Sequence, residues 1–328
     1  TAGESHGKGL LGIIDNIPAG LEISEDYIAH ELFRRQQGHG RGGRMKIEKD
    51  RAEIYTGVRH GKSLGSPIGL ILPNKDFENW TTKMSSKPVE EEIKKVTLPR
   101  PGHADLAGVQ KYDADDIRNI LERSSARETT MRVALASICR ILLREVGIAV
   151  GSRVVQIHTV KDETLLSEHI KPEALNKRAD KSPVRCLDKK VEKRMINAID
   201  KAKQEGDSVG GIFEVVASGL PYGLGSHTKW DAKLHARIAE SIMSVNAFKG
   251  IEIGMGFESA KHLGSAVHDE IGWDGKKYTR YSNNAGGIEG GMSNAQPIVI
   301  RAVMKPIPTL IKPLRSVDIK TKEAKLAH

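Results

Sequence analysis

The chain has 328 residues, of which 38% are hydrophobic and 28% charged, with 33 glycines, 13 prolines and two cysteines. That composition excludes a collagen-like repeat, a disulfide scaffold and wholesale disorder. Lysine and arginine number 51 against 42 acidic residues, a formal net charge of +9 that calls for an anionic ligand, while aromatics at 4% are too few for a surface that stacks successive bases.

Residues 10–17, LLGIIDNI, read as a buried strand, and residues 23–37, ISEDYIAHELFRRQQ, as a helix with Ser24 as N-cap and Ile28 and Leu32 one turn apart. Gly38 stops that helix. The runs MKIEKD (45–50), EIYTGV (53–58) and SPIGLILPN (66–74) predict an antiparallel meander of at least three strands. From Asp113 one long helical pattern continues to Gly147, and its apolar second half predicts a buried central helix. Residues 171–204 set Val191, Met195, Ile196 and Ile199 at helical spacing among lysines, the pattern of an amphipathic surface helix. GGIFEVVASGLP (210–221) then reads as a strand, WDAKLHARIAESIMSV (230–245) as a helix and IEIGMGFESA (251–260) as a strand. Glycine loops fill 281–296, and PIVIRAVMKPIPTLIK (297–312) closes as a strand entering a proline-rich turn. Strands in hairpin-like runs mixed with helices predict an α+β fold with antiparallel sheets.

No uninterrupted apolar run approaches the length of a bilayer-spanning helix, and the start TAGESHGKGLLGII lacks the pattern of a signal peptide. Cys139 and Cys186 form no C-x-x-C pair, so a reducing cytoplasm is the expected compartment.

Three motifs mislead. Gly3-Glu4-Ser5-His6-Gly7 satisfies the G-x-S-x-G elbow of a serine hydrolase, but a strand pattern follows it where an elbow needs a helix. Gly38-x-Gly40-x-x-Gly43 follows a helix and precedes a strand, the reverse of a dinucleotide site. Gly3 to Lys8 is one residue short of a P-loop and lacks its Ser or Thr. The arginines are more telling. Arg34, Arg35, Arg41 and Arg44 cluster beside glycines, and Arg100, Arg123, Arg127 and Arg132 fall in segments rich in Ser, His and Gly. Guanidinium binds carboxylate and phosphate bidentately, so this placement points to a small polyanion rather than to nucleic acid. The bland alternative is that some of Arg35, Arg41, Arg44, Arg100 and Arg127 pair with Glu48, Glu122 or Glu128. Among the histidines, His6 and His103 stand beside glycines that let a ligand approach, whereas His39, His60, His227, His262 and His268 have weaker settings. No set has metal-ligand spacing, and no metal is expected.

The segments GESHG, GRGGRMKIEKD, RPGHAD, ERSSARETT, GLGSH, NNAGGIEGGMSN and KPIPT, in this order across nearly the whole chain, resemble the chorismate synthase family. The resemblance implies a single domain over residues 1–328, a β-α-β sandwich with central helices between antiparallel sheets, assembled as a homotetramer in the cytoplasm. It implies an FMN-dependent anti-1,4-elimination of phosphate from 5-enolpyruvylshikimate 3-phosphate, giving chorismate at the end of the shikimate pathway. Reduced FMN (FMNH2) is the cofactor so implied, and whether NADPH or an external flavin reductase supplies the electrons stays open. A serine hydrolase and a basic nucleic-acid-binding protein are the alternatives.

Carried over residue by residue, the resemblance makes His6 the acid for the departing phosphate and His103 the partner of reduced flavin. Arg35, Arg41, Arg44, Arg100 and Arg127 match substrate positions, Arg35 and Arg41 also being implicated in NADPH contact in some members. Flavin contacts fall on Arg123, Ser124, Ser125, Asn246, Ala247, Gly290, Lys305, Pro306, Ile307, Pro308 and Thr309. Two departures stand out. Ala295 occupies a position where the family usually has glycine, restricting the backbone there. The family's Arg-Ser-Asp-x-Cys segment, with an Arg on FMN and an Asp proposed to assist proton transfer, would follow His328, and is expected to order only on ligand binding.

Overall fold

A computed structural model describes residues 1–42, 49–166 and 170–328, and the chain in it divides into two compact units. Unit 1 comprises Thr1–Leu142, Ala202–Ser208 and Ile307–His328, and unit 2 comprises Leu143–Lys201 and Val209–Pro306. All strand pairs among the described residues are antiparallel, as the α+β pattern predicts.

Unit 1 begins with β1 (Gly9–Ile14), α1 (Glu25–Gln36), β2 (Glu53–Thr56), the small hairpin β3 (Val58–Arg59) and β4 (Lys62–Ser63), and β5 (Ile68–Pro73). Ser24 caps α1 as predicted, its hydroxyl accepting from the Tyr27 N–H at 3.4 Å. The sheet order is β1-β5-β2. Most of MKIEKD lies outside the described residues, and β1 supplies the third strand. Along β1 the side chains alternate, Leu10 buried and Ile13 exposed, so one face meets the helices.

The long helix expected from Asp113 to Gly147 is instead two pieces, α3 (Arg118–Leu121) and α4 (Glu128–Glu145), and a helix that the sequence pattern missed, α2 (Asp105–Tyr112), precedes them. Asp113 takes a left-handed φ of 49° and terminates α2, a short helix whose own Gly108 weakens its sequence pattern. Between α3 and α4 the Ser125 hydroxyl accepts from the Arg127 N–H at 3.3 Å, a local bond that competes with helix continuation. The apolar second half is a buried helix as predicted, with Met131, Ala134, Ile138 and Ile141 packing on Leu10, Leu70, Ile28 and Leu32. Gly12 makes room for it: a Cβ there would lie 2.6 Å from Met131 Cγ.

Unit 2 holds the sheet β10-β15-β8-β6-β7, formed by β6 (Ala149–Ile157), β7 (Val160–Lys161), β8 (Gly211–Ser218), β10 (Phe248–Ile253) and β15 (Ile298–Met304). The basic region is two helices, α5 (Pro172–Ala179) and α6 (Lys189–Gln204). Val191, Met195, Ile196 and Ile199 of α6 pack inward as their spacing predicts. Leu175 and Ala179 of α5 pack with Val216 on one face of the sheet, while Ile298 and Ile300 on the other face meet α7 (Leu234–Met243). The strand expected over IEIGMGFESA ends at Ile253, and Gly256–Lys261 is a 3-10 turn. Here Gly254 and Gly286, with φ of 59° and 60°, cross so closely that a Cβ on Gly286 would lie 2.3 Å from the Gly254 nitrogen. The glycine loops also form β9 (Tyr222–Gly225), β13 (Ile288–Glu289) and β14 (Met292–Asn294), in the order β13-β14-β9.

Candidate active site

Within unit 1 the sequence-predicted residues fall into three clusters. His6 sits in the turn before β1, where its Nδ1 lies 2.9 Å from Glu122 Oε2, and its backbone N–H donates to the same oxygen at 2.8 Å. A carboxylate only accepts, so Nδ1 carries a proton and Nε2 is the exchangeable end. Glu122 also takes Arg118 Nη1 at 3.0 Å on Oε1. Burial alone would raise the Glu122 carboxyl, but the bonds from His6 and the charge of Arg118 hold it below its ordinary value. The ring of His6 lies against Trp80, centroids 4.3 Å apart.

His103 and Arg100 share one buried carboxylate. Asp105, 1% exposed, accepts from His103 Nδ1, from Arg100 Nε at 2.9 Å and from the Arg100 backbone N–H at 3.0 Å. Burial opposes the charge on Asp105, yet these donors keep it ionised far below the usual carboxylate range. Arg100 Nη1 also donates to Thr309 Oγ1 at 3.0 Å, so a residue 209 positions further along the chain joins this cluster.

The third cluster joins two of the arginines. Asp50, its side chain 1% exposed, meets Arg127 at 2.6 Å and Arg35 at 3.9 Å. Burial lowers Arg35 to about 10, with Asp50 opposing the shift, which leaves it charged at neutral pH. Arg35 Nη2 also donates to Ala126 O and Thr129 Oγ1, each at 3.0 Å. Asn74 ties this cluster to the first: its Oδ1 accepts from Arg127 Nε at 2.9 Å, and its Nδ2 donates to Gly7 O at 2.9 Å and Glu4 O at 3.1 Å. Thus Arg35, Arg100 and Arg127 pair with Asp50 and Asp105, acids that the sequence pattern did not single out, while Arg34 pairs with Glu31 and Arg132 with Glu128. Arg41 donates to Gln37 O at 3.0 Å. Arg44, like Glu48, lies outside the described residues.

The expected flavin residues divide between the units. In unit 1, Arg123 donates to Gly3 O and Thr1 O and lies 3.8 Å from Glu128, the Ser124 hydroxyl donates to Ile120 O, and Ile307 O accepts from Ser208. In unit 2, the Lys305 N–H donates to Ala247 O at 3.0 Å, bringing Asn246, Ala247, Lys305 and Pro306 into one neighbourhood. Gly290 turns between β13 and β14 with open space where a side chain would be. Among the described residues no group of His, Cys, Asp and Glu is arranged to hold a metal, and no helix is long and apolar enough to cross a membrane. Ser5 is 3% exposed and leads into β1, not into the helix of a hydrolase elbow.

A sequence model of the chorismate synthase family matches residues 1–328. The chain belongs to that family. "Chorismate synthase 2" of Bacillus cereus is 56% identical over 330 residues, covering 99% of this chain and 84% of that protein. "Chorismate synthase" of Enterococcus faecalis is 55% identical over 327 residues, covering 98% and 84%. A solved structure titled "Crystal Structure of Chorismate Synthase" superposes with a TM-score of 0.78 at 45% identity, covering 94% of this chain and 84% of that one. The chain therefore has the chorismate synthase fold and is an enzyme, a carbon–oxygen lyase.

Proposed function

We propose that this chain eliminates phosphate from 5-enolpyruvylshikimate 3-phosphate to give chorismate with the help of reduced FMN, using His6 and His103 as its two proton-handling groups. The observation that carries this reading is that both imidazoles have Nδ1 fixed on a buried carboxylate, Glu122 or Asp105, so that Nε2 alone is left to exchange a proton with a ligand. An allylic phosphate leaves poorly with its full charge, and a proton from His6 Nε2 lowers that charge as the C–O bond breaks. Arg35, Arg100 and Arg127, with Arg41 and Arg44, would hold a substrate bearing two carboxylates and a phosphate. Their buried partners Asp50 and Asp105 keep the guanidinium groups aimed before the substrate arrives.

Each unit by itself offers groups suited to a phosphate-bearing flavin: in unit 1 the cation Arg123, the hydroxyls of Ser124, Ser125 and Thr309, and the run Ile307, Pro308, and in unit 2 the cation Lys305 with Asn246, Ala247, Pro306 and the open turn at Gly290. When bound, reduced FMN supplies electron density for phosphate departure and a locus for the ring hydrogen. His103 Nε2 keeps a proton available beside it. The two units act as one catalytic domain, in a cytoplasmic homotetramer, with NADPH or an external flavin reductase as the source of electrons.

The test is an anaerobic assay with dithionite-reduced FMN that follows chorismate and released phosphate together. Equal amounts of the two are expected, and absence of both would sink the reading.

A further inference from the structure

The imidazole of His6 is enclosed by groups from separate parts of unit 1. Glu122, just after α3, holds Nδ1 at 2.9 Å with a side chain only 2% exposed, against 24% for His6. Trp80, after the 3-10 turn Lys75–Asn79, lies against the ring at 34°. On that same turn Asp76 Oδ2 is 3.9 Å from Nε2. The cations stand further off: Arg118 is bonded to Glu122 with its guanidinium 4.9 Å from the Trp80 centroid, and Lys83 Nζ is 5.2 Å from that centroid. Glu4 and Lys8 are the charged neighbours on the histidine's own segment.

We infer that Glu122 is the positioning residue of His6: its carboxylate accepts the Nδ1–H, fixes that form of the ring and directs the departing proton to Nε2, with Trp80 holding the ring plane. This rests on the role proposed above for His6. Two carboxylates face the ring, and its contact with Glu122 uses an oxygen that water hardly reaches, so the attraction is weakly screened. A structural role for Glu122 also has support, since it anchors the turn through the His6 N–H, and its own carbonyl accepts from Ser5 N at 3.0 Å. Glu122→Gln separates the two roles. The amide keeps an oxygen for the His6 N–H, but it has no charge to hold an imidazolium.

Trp80 supplies the readout. The chain has three tryptophans, and the other two, Trp230 and Trp273, are 82% and 59% exposed, so Trp230→Phe with Trp273→Phe leaves Trp80 as sole reporter. A protonated imidazole quenches an indole that it touches, so Trp80 fluorescence between about pH 5 and 9 reads His6. The step is expected to vanish in His6→Gln, and its survival there would overturn the inference. In Glu122→Gln the midpoint should move down by about one pH unit or more. In Arg118→Leu, which removes a competing cation, it should move up. Turnover of Glu122→Gln should fall about ten- to a hundredfold with little change in KM, and Glu122→Asp should recover part of it. An unmoved midpoint in Glu122→Gln reduces Glu122 to a structural anchor and overturns the inference. Should Glu122→Gln fail to fold, an unmoved or lowered midpoint in Arg118→Leu overturns it equally. A moved midpoint with undiminished turnover supports the coupling and instead overturns the acid role of His6.

Discussion

Each histidine of the candidate site is paired with a carboxylate that carries little exposed surface, and this sets what single substitutions do. Replacing His6 or His103 by alanine should lower turnover by roughly ten- to ten-thousand-fold in the anaerobic assay, the range of one acid or base; unchanged turnover would remove the residue from the mechanism. Asp50 should matter differently, because it is the buried counter-charge for Arg127 and Arg35. Asp50→Ala leaves cations buried without it and should cost about 3 kcal/mol of unfolding free energy in urea titration. The same carboxylates predict behaviour in acid. Asp105 and Glu122 have folded-state values held below their ordinary ones, so each adds stability that is complete at neutral pH and is lost as pH falls below about 4. The urea midpoint should therefore fall between about pH 5 and 3, and less steeply in Asp105→Asn; equal slopes would exclude Asp105 as a contributor.

At the scale of elements, legibility followed periodicity. The helix capped by Ser24, the apolar face of α4 and the inward residues of α6 could be read directly, because one buried stripe decides them. The break at Glu122–Arg127 could not, since it depends on side chains turned to local and distant partners, and α2 was hidden by its glycine and by its left-handed stop at Asp113. His6, His103 and the arginines were legible through resemblance and glycine context, whereas Asn74, Asp50 and Trp80 carry no local signal. Asn74 and Trp80 join the site because β5 and its following turn bring them beside the turn of His6, and Asp50, just before β2, joins it through Arg127 and Arg35. Ala295 shows the reverse case. It was expected to restrict its backbone, and it does stand at a left-handed φ of 63°. Ala295→Gly should raise stability by about 0.5–1 kcal/mol, the left-handed cost less the added freedom of the unfolded chain. Gly286→Ala should lower it by more than about 3 kcal/mol, as backbone atoms on both sides must give way. Both are read by thermal or urea unfolding, and the same sign for the two would refute the argument.

For the molecule as a whole, the net charge of +9 splits into two populations. Lysines such as Lys190, Lys193 and Lys201 lie on the exposed side of α6, whereas Arg35, Arg100 and Arg127 are held against buried acids. Removing three of the positive charges with Lys190→Gln, Lys193→Gln and Lys201→Gln should leave kcat/KM within about twofold, because solvated charges are screened within about 10 Å. A large fall would mean that the solvated face steers the substrate. The division into units carries a further meaning for how the enzyme is made. Unit 1 is not continuous: Thr309 receives Arg100, Ser316 donates to Pro99 O, and Asp318 accepts from Thr97, all from a segment that follows the whole of unit 2. On the ribosome, residues 143–306 are therefore complete while the surroundings of His103 still wait for their final contacts. A nascent chain whose residues up to 306 have cleared the ribosome can complete its second unit while the first still lacks Thr309, Ser316 and Asp318, so this part of the site forms after the second unit.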